Sequence, residues 1–470
     1  MGGRKRAAIS FYIKRGEGRK MVKHLKSGFT IFSVLAILIS SGPALGSDFP
    51  QVMNIRTRAE VVNKATLMRL ERLLPRALRE AGFDMWLIVC NEDDYDPVFK
   101  TMIPYNSWCP ITQILVFYDP GQGKEIERLN ISRTDMLGLH KAAWDSRAWD
   151  NEKKESQWDC LARIVKERDP KKIGINESDV IWAADGLTAS LKKKLVNTLG
   201  PKYAARLQSA EDLSVRWLET LLDEELELFE RAVAIGHALI AETFSSKVIT
   251  PGATTTENLR YYYWQRAEDL GLDRSFMPGF SIRGRDPKEV DKYGKDDKVI
   301  RPGDLVHCDV GITYLRYNTD HQEWAYVLRP NEIDVPETFK KILAEGNRLQ
   351  DVFCGEFKAG LTGNQLLAGI LAKAREKRIP MPRVYSHSLG YYLHEPGPLI
   401  GLPWEQLNTG GRGDIKLVPN SCFTAELSVD VPVPEWGGKV LRLGIEQDVA
   451  FTEKGIYFVD GRQTKFHIVK

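Results

Sequence analysis

Cysteine is scarce in this sequence of 470 residues, and none of the six cysteines stands in a C-x-x-C pair. A structural zinc site built from cysteine thiolates is therefore disfavoured. In an oxidising compartment the cysteines can form disulfides, but the sequence selects no pairing, and separate buried thiols explain them equally well. The N-terminal half also lacks a nucleophile elbow and a phosphate-binding loop, so its expected role is architectural, or to form one wall of a site.

An apolar run long enough to span a membrane is missing from the N-terminus, because the run at 31–39 is too short. Lys23 and Lys26 precede this run, and the small residues at 44–46 follow it. A basic start, an apolar centre and a small-residue end are the three parts of a cleaved secretory signal. The sequence therefore predicts an exported protein, periplasmic or secreted, of bacterial type.

Met21 is a natural start for such a signal, which would then occupy residues 21–46. Residues 1–20 are interpreted as an over-extended N-terminus. The alternative is an uncleaved anchor, whereas a lipid anchor is disfavoured because no cysteine follows the small residues. After cleavage, no stable membrane anchor is expected.

A strong positive charge is absent once the leader is set aside. The formal net charge is +3, and residues 1–46 hold nine Lys or Arg and one Glu, a net of +8, so the remainder carries +3 − 8 = −5. A mildly acidic body gives no reason to expect nucleic-acid binding. Its length predicts two domains, which we place at 47–218 and 219–470.

Segments of strand composition alternate with segments of helical period in the N-terminal half, which predicts an α/β domain. These segments lie at 54–80, 85–90, 114–118, 158–168, 172–176 and 184–199.

The C-terminal half predicts an α+β domain rich in antiparallel strands, opened by an amphipathic helix at 225–244. The charged stretch 285–298 has no clear period and is interpreted as a solvated loop or hairpin. A strand is predicted at 305–312, and further helices at 261–270, 337–350 and 362–377.

Five side chains of metal-ligand type follow one another through this half: Asp309, Asp320, His387, Glu426 and Glu446. Four carboxylates and one imidazole fit two adjacent divalent cations better than one tetrahedral zinc. The spacing between the two aspartates suits a hairpin that brings them opposite one another. Taken singly, each residue has a plain alternative, such as a surface carboxylate or a structural histidine.

The order and spacing of these residues resemble the pita-bread metallohydrolases. The first aspartate is followed 11 residues later by the second, then by His-Ser-Leu-Gly at 387–390 with His394 seven positions on, and then by Phe-Thr-Ala-Glu at 423–426 and Ile-Glu at 445–446. This family includes methionine aminopeptidase, Xaa-Pro aminopeptidase, prolidase and the metal-free creatinase. The resemblance covers roughly residues 222–470 and is nearest the Xaa-Pro aminopeptidase and prolidase branch. It implies a creatinase-type α/β N-terminal domain followed by an α+β pita-bread catalytic domain.

The resemblance also implies how the ligands divide between two metal ions. Asp320 and Glu446 would bridge the ions, Asp309 would complete one shell, and His387 and Glu426 would complete the other. Manganese is the first expectation because the ligands are mostly oxygen atoms, while cobalt, zinc and iron stay open.

Two further implications concern catalysis and assembly. Glu426 is implied as the general acid/base, and His394 as the histidine that contacts the substrate or stabilises the tetrahedral intermediate. A homodimer is expected from the family alone.

The chain departs from the proline-specific pattern around these ligands. No histidine lies between 276 and 306, and Arg383 stands where a histidine is usual. The Thr-Arg usual after Asp320 is absent, since the chain there reads His321-Gln322-Glu323-Trp324, and Gly444 replaces a common arginine. Arg383 is a candidate for binding a substrate carboxylate; the alternative is that it forms a surface salt bridge. His307 is a candidate for substrate binding or for supporting the ligands; the alternative is a purely structural role.

The leading hypothesis is an exported dinuclear metallopeptidase, an aminopeptidase or dipeptidase of Xaa-Pro type. The alternatives are a non-peptidase metalloenzyme of this fold, such as a lyase or amidase acting on a small zwitterion, and a binding protein without turnover. The expected partner is accordingly a peptide or a small molecule.

Overall fold

A computed structural model of the chain describes residues 49–121, 123–145, 155–394 and 396–470. The expected signal at 21–46 lies outside the described residues. Residues 49–470 form one compact unit, and the domain boundary expected at 218/219 lies within it and stays a prediction. No helix among the described residues is long and apolar enough to cross a membrane.

The first described element is one continuous helical run, as the pattern at 54–80 predicts. It comprises α1 (Ile55–Met68), a π-helical turn and α2 (Leu74–Glu80). Asn54 caps its start, because the Asn54 side chain accepts a hydrogen bond from the Thr57 N–H at 3.0 Å. The apolar side of the run packs into the main core.

The N-terminal half is built on a six-stranded sheet in the order β4-β3-β2-β1-β5-β6. The central strand, β1, pairs antiparallel with β2 and parallel with β5, and helices cover the sheet. Its side chains from Met85 to Cys90 are all buried, which explains why this strand reads as an unbroken apolar run. The elements are β1 (Met85–Asn91), α3 (Pro97–Met102), β2 (Thr112–Tyr118), β3 (Glu127–Asn130), β4 (Lys141–Ala142), α4 (Gln157–Arg168), β5 (Ile173–Ile175), α5 (Ala189–Ala204), β6 (Leu207–Ser209) and α6 (Glu211–Glu219).

The C-terminal half begins with the predicted amphipathic helix and contains mainly antiparallel sheets that pack against helices. One sheet has the order β20-β12-β9-β8, and a larger one has the order β17-β16-β13-β15-β18-β19 with β14 beside β13. A small sheet, β11-β10-β7, completes this half. The helices are α7 (Asp223–Thr243), α8 (Thr256–Asp269), α9 (Pro287–Tyr293), α10 (Glu337–Gly355) and α11 (Gly363–Glu376). The strands are β7 (Asp273–Arg274), β8 (Gly279–Gly284), β9 (Leu305–Val310), β10 (Ile312–Tyr314), β11 (Tyr317–Asn318), β12 (His321–Val327), β13 (Arg383–Leu389), β14 (Leu399–Ile400), β15 (Ser421–Thr424), β16 (Glu426–Val433), β17 (Lys439–Ile445), β18 (Asp448–Thr452), β19 (Gly455–Phe458) and β20 (His467–Val469).

The charged stretch 285–298 corrects one prediction, because it is not simply a solvated loop. It contains α9, and Arg285 is buried. Arg285 Nε and Nη2 donate to the two carboxylate oxygens of Asp304 at 2.7 and 2.6 Å, and Nη1 donates to Asp297 at 2.8 Å. Arg285 thus forms ion pairs inside the fold. The periodicity of hydrophobic residues contains no information on such pairs.

A buried ion pair joins the N-terminal helical run to α7. Arg69 Nη1 donates to Glu225 Oε2 at 2.9 Å, and neither side chain has any exposed surface. The hydroxyls of Tyr317 and Tyr391 donate to Glu225 Oε1 at 3.0 and 2.8 Å. A charged pair with this many hydrogen bonds holds together segments that are far apart in sequence.

All six cysteines are free thiols in the structure, and every one except Cys354 is buried. Burial raises the pKa of the Cys90 thiol to about 12, so this group stays neutral. These cysteines therefore act as small apolar packing residues in the described fold.

His140 makes a prediction about acid stability. Burial lowers its pKa to about 4, and its Nε2–H donates to the Met102 carbonyl at 2.8 Å. Between pH 6.5 and about 4, the His140 imidazole is protonated in the unfolded chain but neutral in the folded chain. The free energy of unfolding should therefore fall as the pH drops through this window.

Urea unfolding at about pH 7.5 and about pH 5 should therefore reveal a larger loss of stability in the wild type than in a His140→Phe variant. The comparison removes the contribution of carboxylates, which titrate in both proteins. An equal loss in the two proteins would show that His140 is not the responsible group.

Candidate metal centre

Two strands bring the first two candidate ligands to one place. β9 and β12 pair antiparallel with Asp309 directly opposite Gln322, so these two side chains share a face of the sheet. Asp320 stands just before β12 and lies diagonally across from Asp309. The predicted hairpin pairing is thus observed, but the residue opposite Asp309 is a glutamine, not the second aspartate.

The other ligands come from the neighbouring sheet. His387 lies on β13, and Glu426 begins β16 opposite Tyr385. Glu446 follows β17, and its backbone pairs with that of Gln322 through hydrogen bonds of 3.1 and 3.2 Å. This isolated bridge connects the two sheets at the level of the ligands.

The side chains converge in three overlapping groups whose possible ligand atoms lie within 4.8 Å of one another. His387 Nε2 and Asp320 Oδ2, for example, are 3.7 Å apart. Each of the five sequence-predicted ligands is in at least one group, and His394 joins them as a sixth residue. The groups are Asp309, Asp320 and Glu446; His387, Glu426 and Glu446; and Asp320, His387 and His394.

Buried polar atoms without a hydrogen-bond partner indicate whether these residues fit a metal ion. Asp320 Oδ1, His387 Nε2 and Glu446 Oε1 are buried and have no hydrogen-bond partner. Each such atom costs about 1–3 kcal/mol if nothing satisfies it. A cation among these three atoms would satisfy all of them, so the residues fit divalent metal ions.

The protonation equilibria support the same fit. Burial raises the pKa of Asp309 to about 6 and that of Glu426 to about 7, and the neighbouring Asp309 carboxylate adds to the effect on Glu426. Burial also raises the pKa of Asp320 and Glu446 well above the usual range. A cation among these carboxylates would offset their mutual repulsion and return them to the charged form.

His387 is in the form that coordinates a metal. Burial lowers its pKa to about 3, so the imidazole is neutral. Its Nδ1 lies 3.2 Å from the carbonyl oxygen of Ser388 and donates to it. Nε2 then carries the free lone pair, and it points toward Asp320.

Gln322 holds two of the carboxylates and is the residue that sequence reasoning missed. Its Nε2 donates to Glu426 Oε1 at 2.9 Å and to Glu446 Oε2 at 2.7 Å. Its Oε1 accepts a hydrogen bond from His307 Nε2 at 3.1 Å. The strand period from Asp320 was the available signal, because it places residue 322 on the ligand face.

His307 acts on the ligands indirectly. It stands opposite Trp324 in the β9–β12 pair, two residues from Asp309 and on the same face. Burial lowers its pKa to about 3, so a neutral ring supports the Gln322 amide. Its predicted supporting role therefore runs through Gln322, and its predicted contact with a substrate stays a prediction.

Residues 227–453 match the model for metallopeptidase family M24. This matched part of the chain is called the M24 domain below. The expected resemblance to the pita-bread group is thereby confirmed.

Curated relatives and solved structures agree with the family. "Probable dipeptidase PepE" of Mycobacterium tuberculosis is 26% identical over 199 residues, which are 41% of this chain and 47% of that protein. The chain thus spans about half the length of the curated relatives it matches.

The solved structures share the fold across most of the chain. An X-Pro aminopeptidase from Thermotoga maritima has a TM-score of 0.58 at 20% identity, covering 84% of this chain and 100% of its own. An Xaa-Pro dipeptidase from Bacillus anthracis has a TM-score of 0.55 at 19% identity, covering 86% and 99%. The predicted architecture, an α/β domain before a pita-bread domain, is confirmed.

A cavity of about 440 Å³ in the M24 domain is lined by one of the five candidate ligands, Glu426, and by Gln322 and His307. Arg383 lines it from β13, half-buried, on the same face as His387. The surface salt bridge considered for Arg383 does not occur with any described residue. Gly444 also lines the cavity, where a Cβ would come within 3.2 Å of Gln322 Oε1.

His394 lies in the turn after β13 of the M24 domain and is exposed. Its ring centroid is 4.6 Å from that of His387, in an edge-to-face arrangement. It is therefore the candidate residue with the freest access to a substrate at the ligands.

Gln322 leads to a prediction for the M24 domain. Gln322→Ala should weaken metal affinity roughly 10- to 100-fold, because Glu426 and Glu446 lose the group that orients them. Calorimetric titration of the metal-free protein with Mn²⁺ measures this change directly. Gln208→Ala, on an exposed strand position, is the matched control. Unchanged affinity in Gln322→Ala would show that the carboxylates are held without the amide.

Proposed function

We propose that this protein is a dinuclear metal-dependent peptidase, an aminopeptidase or dipeptidase related to the Xaa-Pro type. One observation carries the proposal: five ligand-type side chains meet around three buried atoms that have no other partner. The match of residues 227–453 to the model of a metallopeptidase family supports it.

The metal ions would be held by Asp309, Asp320, His387, Glu426 and Glu446. When bound, two divalent ions polarise the scissile carbonyl and lower the pKa of water. Manganese is our first candidate because oxygen ligands predominate, with cobalt, zinc and iron as competitors.

Glu426 is proposed as the group that moves the proton. Its carboxylate lines the cavity, and Gln322 fixes one of its oxygens, so the carboxylate faces a bound substrate in one orientation. It would accept the proton of the attacking water and return it to the leaving amine.

His394 is proposed to donate a hydrogen bond to the substrate oxygen on which negative charge develops. Its exposed position beside His387 leaves it free to approach that oxygen. Such a donor acts in the transition state more than in the bound substrate.

Metal content and a peptide panel test the proposal. The purified protein should bind two equivalents of Mn²⁺ and then hydrolyse Xaa-Pro or Xaa-Ala peptides, with a chelator abolishing the activity. Failure to bind metal would reject every enzymatic hypothesis. Metal binding without peptide turnover, but with turnover of small zwitterions, would instead favour the lyase or amidase suggested by the missing histidines.

We further propose that the protein is exported and forms a homodimer. The basic, apolar and small-residue order of 21–46 supports export, and the family resemblance supports the dimer. Cell fractionation with N-terminal sequencing would test the first proposal, and sedimentation would test the second.

A further inference from the structure

The turn that leads to His394 is held by an asparagine from another strand. Asn318, the last residue of β11, donates its backbone N–H to the Gly390 carbonyl at 2.7 Å. Its side-chain Nδ2 donates to the Gly390 and Tyr391 carbonyls at 3.2 and 2.9 Å. Its Oδ1 accepts a hydrogen bond from Thr313 Oγ1 at 2.7 Å, which fixes the orientation of the amide. One side chain therefore holds the backbone three and four residues before His394.

A second contact ties the same turn to the N-terminal half of the chain. The Tyr392 hydroxyl donates to the carbonyl of Pro97, the first residue of α3, at 2.8 Å. Tyr392 stands two residues before His394, whose own side chain is exposed. Because packing covers little of an exposed ring, the place of His394 depends mainly on the backbone that precedes it.

The hairpin that presents Asn318 has an unfavourable loop. Tyr314 pairs with Tyr317 across β10 and β11. The two residues between them, Leu315 and Arg316, have φ angles of 53° and 75°. Asparagine and glycine favour positive φ at both positions of such a loop, whereas leucine and arginine adopt it only where other contacts hold them there.

Contacts with the N-terminal half hold this loop. Arg316 Nη2 donates to the Ile103 and Pro104 carbonyls at 3.0 and 3.1 Å. Leu315 is 2% exposed and packs in the main core, which includes residues of the N-terminal helical run. The strained loop is thus anchored to a part of the chain that lies more than 200 residues earlier.

We propose that Asn318 and Tyr392 are positioning residues for His394, and that the N-terminal half sets the place of His394 through them. Among the described residues, the three ligand groups contain no side chain from the N-terminal half. That half therefore contributes to the reaction by holding a turn of the other half. This proposal rests on the proposed peptidase function and on the role proposed there for His394.

Kinetics on the Mn²⁺-loaded full chain test the two positioning residues. Asn318→Ala should lower kcat about tenfold or more, and Tyr392→Phe should lower it about threefold, because a small misplacement weakens a contact made in the transition state. KM and the affinity for Mn²⁺ should each change less than about twofold. The matched controls Asn197→Ala, on α5, and Tyr457→Phe, on β19, replace exposed residues and should leave kcat unchanged.

The same substitutions in a His394→Ala background decide whether they act through His394. There, Asn318→Ala and Tyr392→Phe should each lower the remaining kcat less than about twofold, because the side chain that they position is gone. Equal losses in the two backgrounds would overturn the proposal and make both residues structural. A loss of Mn²⁺ affinity as large as the loss of kcat would also overturn it, because the effect would then lie on the ligands.

An Arg316→Gly variant tests the part played by the N-terminal half. Glycine favours positive φ, so this substitution removes the strain of the loop together with its anchor. The fold should persist while kcat falls about threefold or more. Arg378→Gly is the matched control, since Arg378 is an exposed arginine with φ of 55°. A wild-type kcat in Arg316→Gly would reject the contribution of the N-terminal half.

A measurement without catalysis separates this proposal from the peptidase function. Amide hydrogen exchange in 388–394 should become about tenfold faster in Asn318→Ala, with exchange in β9 and β16 unchanged. This result in a protein that hydrolyses no peptide would count against the proposed function and support the hold on the turn. Unchanged exchange in both Asn318→Ala and Tyr392→Phe would reject the hold on the turn, whatever the activity.

Discussion

Replacing Glu426 with glutamine is expected to lower kcat at least about a thousandfold, which corresponds to about 4 kcal/mol of barrier. The amide has the same shape as the carboxylate but accepts no proton, so the proposed transfer from water to the leaving amine has no carrier. The fold should persist, because the substitution is isosteric. Steady-state kinetics on the cleaved peptides, with circular dichroism and metal analysis on the same samples, measure the three properties separately.

The metal analysis decides what a loss of activity means. Glu426 is both a proposed ligand and the proposed proton carrier, so Glu426→Gln must be compared at saturating Mn²⁺. Glu453→Gln, an exposed glutamate in the same half of the chain, serves as the matched control. Near-normal turnover by Glu426→Gln with metal bound would remove Glu426 from the mechanism.

The largest effect on stability is expected from Glu225→Gln. The substitution leaves Arg69 fully buried without its counter-charge and weakens the hydrogen bonds from Tyr317 and Tyr391. Breaking a buried pair by removing one partner costs about 3–5 kcal/mol. Equilibrium unfolding in urea, fitted for the midpoint and the slope, measures this loss.

A neighbouring pair on the same two segments provides the control. Arg72 Nη1 donates to Glu224 Oε1 at 2.6 Å, and both side chains are about half exposed, at 51% and 45%. Glu224→Gln should change stability by less than about 1 kcal/mol, because water screens an exposed pair. Similar losses in the Glu224 and Glu225 variants would show that burial does not govern this contact.

The ligand set was accessible from the sequence because it depends on residue types in a fixed order. Their order and spacing resemble the pita-bread metallohydrolases, and that resemblance predicted that Asp309, Asp320, His387, Glu426 and Glu446 meet. The structure brings them together. The strand and helix segments of both halves were likewise readable from hydrophobic period, with differences of a few residues at their ends.

The residues that support the ligands were less accessible, because they depend on register. Only the pairing of β9 with β12 places Gln322 opposite Asp309. A sequence read one segment at a time contains no information on such pairing. The Arg69–Glu225 pair was missed for the same reason, since its partners are separated by more than 150 residues.

The close approach of Gly444 to Gln322 links a residue outside the ligand set to the ligands themselves. A β-carbon at 444 would lie 3.2 Å from the Gln322 amide oxygen, so a side chain there would require the amide to shift by a few tenths of an ångström. The nitrogen of the same amide holds Glu426 and Glu446. A substitution at 444 would therefore change the orientation of two ligands without replacing either of them.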